Sequence, residues 1–508
     1  MRNIIFLTFS IFLFSIVSAQ EQQKKISFQA EWQLHDEELL PGVDRFIGNV
    51  IFQHDNTIGY CDSAYHYLNE DYLLAFGNPV RIFVNDSVRL YGEFLNYNSN
   101  TKISSIFRNV KLQDNTSALY CDSLVYDNNL SEAYFLTGGT MINADNTLTS
   151  KIGRYYTKSN DVFLIDSVLL VNDTYTMNCQ SLRYNTQNEF VYFISRTHLH
   201  SDENDIFTNA GYYDIRNDLA LLVDNVEMLN EDQNFSGDSV FYDKKRNFGI
   251  GWNNVTIQDS TQGYIIKGNY AEHYENGGTS FVTDSTLLIL IDQGDSLYLH
   301  SDTLSIIFDS LQEPQELHAF NKVKFYRNDI QGVCDSMSIL VEDSLLTMYH
   351  NPVLWYGSNQ LSGDSIRMCV IDSSNMTMNI MENGFIIEDV FEEKEFNQIK
   401  GEHIKGYITD NKLRQVDVIN NVECVYYVLE EDSSLIGINA SITNEMRIFL
   451  ENNKLKEILF YNNPDGALYP YNKFPEEKKI LKDFRWLNLY RPKSISDIFH
   501  TPIPRKWE

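Results

Sequence analysis

Proline is scarce in this chain: 10 among 508 residues, with only Pro41, Pro79, Pro314 and Pro352 before residue 464. Glycine is low as well, at 25, and no GGxGxD-type loop occurs, which excludes a calcium-binding β-roll of the nonapeptide kind. Basic side chains are few, 40 Lys and Arg against 70 Asp and Glu, for a net charge of −30. A body without a positive field gains no counterion release on nucleic acid and is not drawn to an anionic membrane surface. No HExxH, GxSxG or P-loop pattern is present, so no nucleophile-base set is visible. What the chain has in quantity is aromatic: 31 Tyr and 31 Phe, within a hydrophobic fraction of 43%. That is material for a large core, and it excludes an acidic disordered polymer.

The first 19 residues read as a secretory signal peptide. Arg2 precedes an apolar run from Ile4 to Val17, and Val17-Ser18-Ala19 supplies the small residues of a cleavage site. The run is shorter than the roughly 20 residues a transmembrane helix needs. No Cys follows it, and no later stretch is apolar enough to span a bilayer as a helix. Export is expected, with no transmembrane span in the mature chain.

The body is an internal repeat. Tyr60-Cys61-Asp62-Ser63-Ala64 returns as Tyr120-Cys121-Asp122-Ser123-Leu124 and Ser236-Gly237-Asp238-Ser239-Val240. Related copies place the Asp marker at 62, 93, 122, 151, 180, 209, 238, 269, 302, 335, 364, 402 and 439, in steps of 29 to 38 residues. Thirteen units of about 30 residues account for almost the whole body. Between markers stands Asn before a β-branched run, as in Asn49-Val50, Asn109-Val110, Asn225-Val226, Asn254-Val255 and Asn421-Val422. Asn suits a turn that launches a strand, and Val, Ile, Phe and Tyr suit the strand. The fold class is therefore all-β, an elongated stack with almost no helical periodicity.

Alternation within the unit identifies the inner face. Two residues after the marker stand Leu95, Leu124, Leu182, Val240, Leu304, Met337 and Ile366, and two further on stand Tyr97, Tyr126, Tyr155, Tyr184, Tyr213 and Tyr242. These are the candidate site positions, an apolar column and an aromatic one. If each unit forms one rung, successive members lie about 4.8 Å apart and thirteen rungs extend roughly 60 Å. The repeated Asp-Ser reads as backbone bonding at a strand bend, because Gln180, Lys151 and Asn209 take the same place without a carboxylate. His198 and His200 share a strand face, which suits a solvated edge better than a metal site. Neither a metal site nor a cofactor is expected. Of the six Cys, Cys61, Cys121, Cys179 and Cys334 precede markers where other units carry Gly or Ser. They read as small packing residues, too far apart in the stack for disulfides.

An export signal, an Asn-Val strand, then a small residue, an acid and a Tyr-ending strand resemble the OstA-like, LptA-type family of lipopolysaccharide-transport proteins. Arg108-Asn109-Val110-Lys111-Leu112 through Tyr120-Cys121-Asp122-Ser123-Leu124-Val125-Tyr126 carries the pattern, with Cys, Gly or Ser often standing where the family has Ala. The arrangement is most similar to the long OstA-like proteins of Bacteroidetes type. The resemblance implies a twisted, open β-jellyroll in the periplasm that shields the acyl chains of lipid A, and partners joined end to end by strand pairing. It also implies a non-enzymatic carrier or bridge in outer-membrane biogenesis. The same inner column could equally form a closed core, in which case the array serves as an envelope scaffold or adhesin. A β-helix acting on acidic polysaccharide is a third reading, but no local catalytic cluster can be assembled from spacing.

The organisation expected is a signal peptide at 1–19, a lead-in at 20–45, a repeat body at 46–463 and a strap at 464–508. The last segment holds Pro464, Pro470, Pro475, Pro492, Pro502 and Pro504, with 9 basic and 6 acidic residues. Lead-in and body together then carry 30 basic and 64 acidic residues. A mildly basic strap could fold back to cover the last rung of a strongly acidic array, or dock on another protein.

Overall fold

The computed structural model describes residues 25–500 and Pro502, apart from Asp86, Glu203, 292–294, 311–312, Asn411, 431–433 and 452–453. The signal peptide expected at 1–19 lies outside the described residues. The chain divides into two compact units, Met1–Asn172 with Asn185–Gln187, and Asp173–Tyr184 with Asn188–Glu508.

Both units are built from antiparallel strands, and the long unbroken ones are bonded to the strand before and the strand after. In the first unit Val43–His54, Thr57–Tyr67, Tyr72–Val84, Val88–Asn98, Ile103–Gln113 and Ser117–Asp127 follow one another this way. Each of these strands slips register near its middle, as between Ile47 and Val50 or between Phe107 and Val110. The slip is a corner, where the strand bends and passes from one arm to the other. A sequence unit therefore holds two long bent strands and contributes two rungs, not one. Cys61 and Cys121 consequently lie four strands apart, about 19 Å at ordinary strand spacing. All six cysteines are free thiols.

The two sequence signatures meet at these corners. Pairs of consecutive residues adopt left-handed backbone there: Arg108 and Asn109, Asp224 and Asn225, Asn253 and Asn254, Asn420 and Asn421. Asn tolerates this region better than residues with bulkier side chains, so Asn marks a mid-strand corner and not a turn between strands. The Asn109 amide donates to Glu93 at 2.6 Å, Asn254 to Asp238 at 3.1 Å, Asn383 to Asp364 at 3.1 Å and Asn421 to Glu402 at 2.6 Å. In each case the acceptor is the marker acid of a neighbouring strand. The repeated acid thus bonds the adjacent corner, where local backbone had been the expected partner.

The C-terminal segment is more than an end cap. Asp465–Tyr469 is itself a strand, paired with Ile438–Ile442. Beyond it the chain turns back across the outer face of the second unit, held by three buried glutamines. Gln398 donates to the Lys479 carbonyl at 2.7 Å and accepts from the Leu481 amide at 2.9 Å. Gln360 does the same with Arg485 and Leu487, both at 2.7 Å. The Arg491 guanidinium donates to Gln331 at 2.8 Å. Beneath the strap lie Val333, Val353 and fully buried Trp355 against Leu487, and Phe385 and Phe396 against Phe484 and Trp486. Each large apolar side chain covered this way contributes about 1.5–3 kcal/mol.

Candidate functional site

Alternation sends every second residue of each arm inward, so the interior of a unit is a space between two facing walls. In the first unit that space is filled. Leu95, Leu124, Tyr97, Tyr126 and Tyr155 are buried on one arm, and Ile82, Leu90, Leu112 and Leu119 on the other. The open side is laced shut by polar contacts between arm tips. Tyr97 Oη meets His54 Nδ1 at 2.6 Å, Lys102 pairs with Asp55 at 2.7 Å, and Asn128 donates to Thr57 at 2.9 Å. The Tyr155 hydroxyl donates to Asp114.

The second unit departs from this between residues 174 and 308. A cavity of about 570 Å³ lies between its arms, in the range usual for small-molecule sites. Leu199, Ile206, Met228, Phe235 and Ile257 line one wall, and Ala220, Leu222, Val240, Gly249, Gly251 and Ala271 the other. The reason for the space is legible locally. One wall carries Ala220, Gly249, Gly251 and Ala271, small side chains that leave room between the arms. The aromatic column also changes its bonding: Tyr213 donates to Asp218 on its own arm at 3.1 Å instead of reaching across. Tip contacts here run along each lip, from Thr261 to Asp232 and Gln233 to Asp259 on one side and from Lys245 to the Arg216 carbonyl on the other. A cross-link between lips returns at Gln262 and Glu313, 2.8 Å apart.

The lining is apolar inside and polar at the rim, where Ser201, Asn204, Asn230 and Gln233 face Asp218, Lys244 and Glu275. Leu199, Ile206, Phe235, Ile257, Tyr213 and Tyr242 are only half-buried, as befits walls that reach an opening. Burial pushes the phenols of Tyr175 and Tyr213 well above their ordinary value and raises Tyr264 to about 12, so all three remain hydroxyl donors. The Tyr175 hydroxyl is buried in the wall and, among the described residues, has no hydrogen-bond partner. Buried polar groups are rarely left so, and each one in a native wall calls for a partner. His273, bonded to Ser280 at 2.7 Å, is held below its ordinary pKa by burial and adds no charge at neutral pH.

Of the thirteen column positions, Val240, Tyr213 and Tyr242 reach the cavity. Leu95, Leu124, Leu182, Leu304, Met337 and Ile366, with Tyr97, Tyr126, Tyr155 and Tyr184, are buried. They are packed into closed interior. Toward the C-terminus, Leu304, Met337 and Ile366 belong to one apolar cluster with residues from Val255 to Ile448. The opposite wall, Leu199 through Ile257, was missed in the sequence, although it follows the same alternation on the stretch before each marker.

Residues 28–180 match the family of OstA-like proteins, so this region, which takes in most of the first unit, is OstA-like. No curated protein matches the chain. Among solved structures, the chain is similar to LptH of Pseudomonas aeruginosa, described as the LptA-homologous periplasmic component of a lipopolysaccharide transport device. The two share 17% identity over 21% of this chain and 77% of that one, with a TM-score of 0.19. At that level the likeness bears on neither ligand nor partner. No described helix is long and apolar enough to cross a membrane.

Proposed function

We propose that the chain is a non-enzymatic periplasmic carrier or bridge for lipopolysaccharide, holding acyl chains in the cavity of its second unit. The observation that carries this reading is an apolar space between one half-buried wall and one mostly buried wall, where the first unit, of the same construction, has a filled interior. The OstA-like region and the export signal read in the sequence support the family and the compartment. Each methylene withdrawn from water contributes about 0.8 kcal/mol, so ten carbons of one acyl chain supply about 8 kcal/mol. Lys244 is the one cation among the rim residues named above, in an acidic body. The charged head therefore stays in solvent, where desolvation costs nothing, and the Tyr175 hydroxyl offers one donor to a polar group near the acyl chains.

Gly249 allows a clean test. Its backbone is not left-handed, and a Cβ there meets nothing closer than Tyr242 Cδ2 at 3.6 Å. Gly249→Leu should obstruct the cavity and leave the fold intact. Depleting the protein from its host should strand lipopolysaccharide at the inner membrane, and the wild-type chain should restore transport where the Gly249→Leu chain does not. Normal surface lipopolysaccharide in depleted cells, or full rescue by Gly249→Leu, would overturn the reading.

A further inference from the structure

On the outer face of the same region the structure brings together three side chains that spacing alone did not connect. The strands Thr197–His200 and Asp205–Thr208 form a hairpin in which His200 faces Asp205 and His198 faces Phe207. Alternation turns Leu199 and Ile206 into the cavity and His198, His200 and Asp205 away from it. His198 Nε2 lies 2.5 Å and His200 Nδ1 2.9 Å from one oxygen of Asp205, and one ligand atom from each residue lies within 4.8 Å of the others. The His198 ring is fixed by stacking on Phe207, with centroids 4.4 Å apart and planes 6° from parallel.

We infer that His198, His200 and Asp205 bind a divalent transition cation of the zinc class. Two imidazoles and one carboxylate, with a position left to solvent, are a donor set that such ions take. An ion about 2.0–2.2 Å from each ligand sets them roughly 3.4 Å apart, which side-chain rotations reach from the present spacing. The strongly acidic chain raises the local concentration of cations. Bound metal would tie together two strands whose other faces are cavity wall and whose turn, with Ser201 and Asn204, is part of the rim. The site would thereby stiffen one lip whatever the cavity holds.

Calorimetric titration of the full chain with zinc chloride tests this. Saturable binding of one ion is expected, lost in His198→Ala, His200→Ala and Asp205→Asn, and retained in His318→Ala, whose imidazole pairs with Glu316 at 2.8 Å but has no third ligand among the described residues. In the unmutated chain zinc should also shield His198 and His200 from diethylpyrocarbonate and leave His318 reactive. Absence of saturable binding, survival of binding in the His198→Ala/His200→Ala double variant, or equal modification with and without zinc would each overturn the inference.

Discussion

Replacing Gln360 by Ala should release the strap locally without unfolding the roll beneath it. Gln360 is 1% exposed, and its two bonds of 2.7 Å to Arg485 and Leu487 reproduce the pairing a β-strand would offer. The substitution strands a backbone carbonyl and a backbone amide next to Trp355, which is itself fully buried. An unsatisfied buried group costs about 1–3 kcal/mol, so the docked state should lose about 2–5 kcal/mol. Native-state hydrogen exchange at the Leu487 amide reads this directly, because the amide is protected by Gln360 and exposed when the strap lifts. At 1.4 kcal/mol per tenfold, exchange should accelerate by at least about 30-fold. Gln360→Glu, kept neutral by burial, retains an acceptor for Leu487 and a donor for Arg485, and should fall between wild type and Ala. Gln398→Ala should produce the corresponding effect at the Leu481 amide. Leu487 exchange in Gln360→Ala within about threefold of wild type would refute the clamp.

Three further outcomes follow from the same structure. Asn254 sits at φ 51° and bonds Asp238 at an exposed corner; Asn254→Ala should lower stability by about 1–2 kcal/mol from left-handed strain, and Asn254→Gly by less, which thermal melting would show. Burial raises the thiols of Cys61 and Cys424 to about 12, so native protein at about pH 8 should resist alkylation at both, and mass spectrometry without reductant should find six free thiols. A Cys61–Cys121 bridge would contradict their four-strand separation. His273 and His300 are held by burial below the ordinary value of 6.5. Below that value the unfolded chain takes up the proton first, so stability should be level above about pH 6.5 and fall as pH drops through the folded-state values. His273→Gln should flatten that slope; an unchanged slope would show that this residue does not set it.

Much of the architecture was readable because the repeat displays its own geometry. The alternation after each marker put Leu95, Leu124 and Tyr97 inside, and all three are buried. The recurrence of Asn before Val pointed to turns between strands, and the left-handed backbone that Asn suits is there, but at corners within strands. The rung count was not readable, since a 30-residue period cannot tell one strand passage from two bent ones. The cavity was hidden for a different reason. Tyr213 and Tyr242 look like Tyr97 in sequence, and what separates them is the bond of Tyr213 to Asp218 on its own arm and the Gly249, Gly251 and Ala271 that face the space. The strap's path was equally silent, because Gln331, Gln360 and Gln398 are ordinary strand residues until 470–500 folds over them. His198 and His200 looked like a solvated pair because Asp205, five residues beyond His200, joins them only through the hairpin register.

Acyl chains should occupy the interior of the second unit around Val240 and Tyr242, and not the filled interior of the first. Site-specific photo-crosslinking in cells measures this most directly, with a photoreactive residue at Tyr242, at Phe235 on the facing wall, and at Leu95 and Leu124 as controls. Lipopolysaccharide adducts are expected at Tyr242 and Phe235 and none at Leu95 or Leu124. Adducts at all four positions alike, or at none, would contradict it.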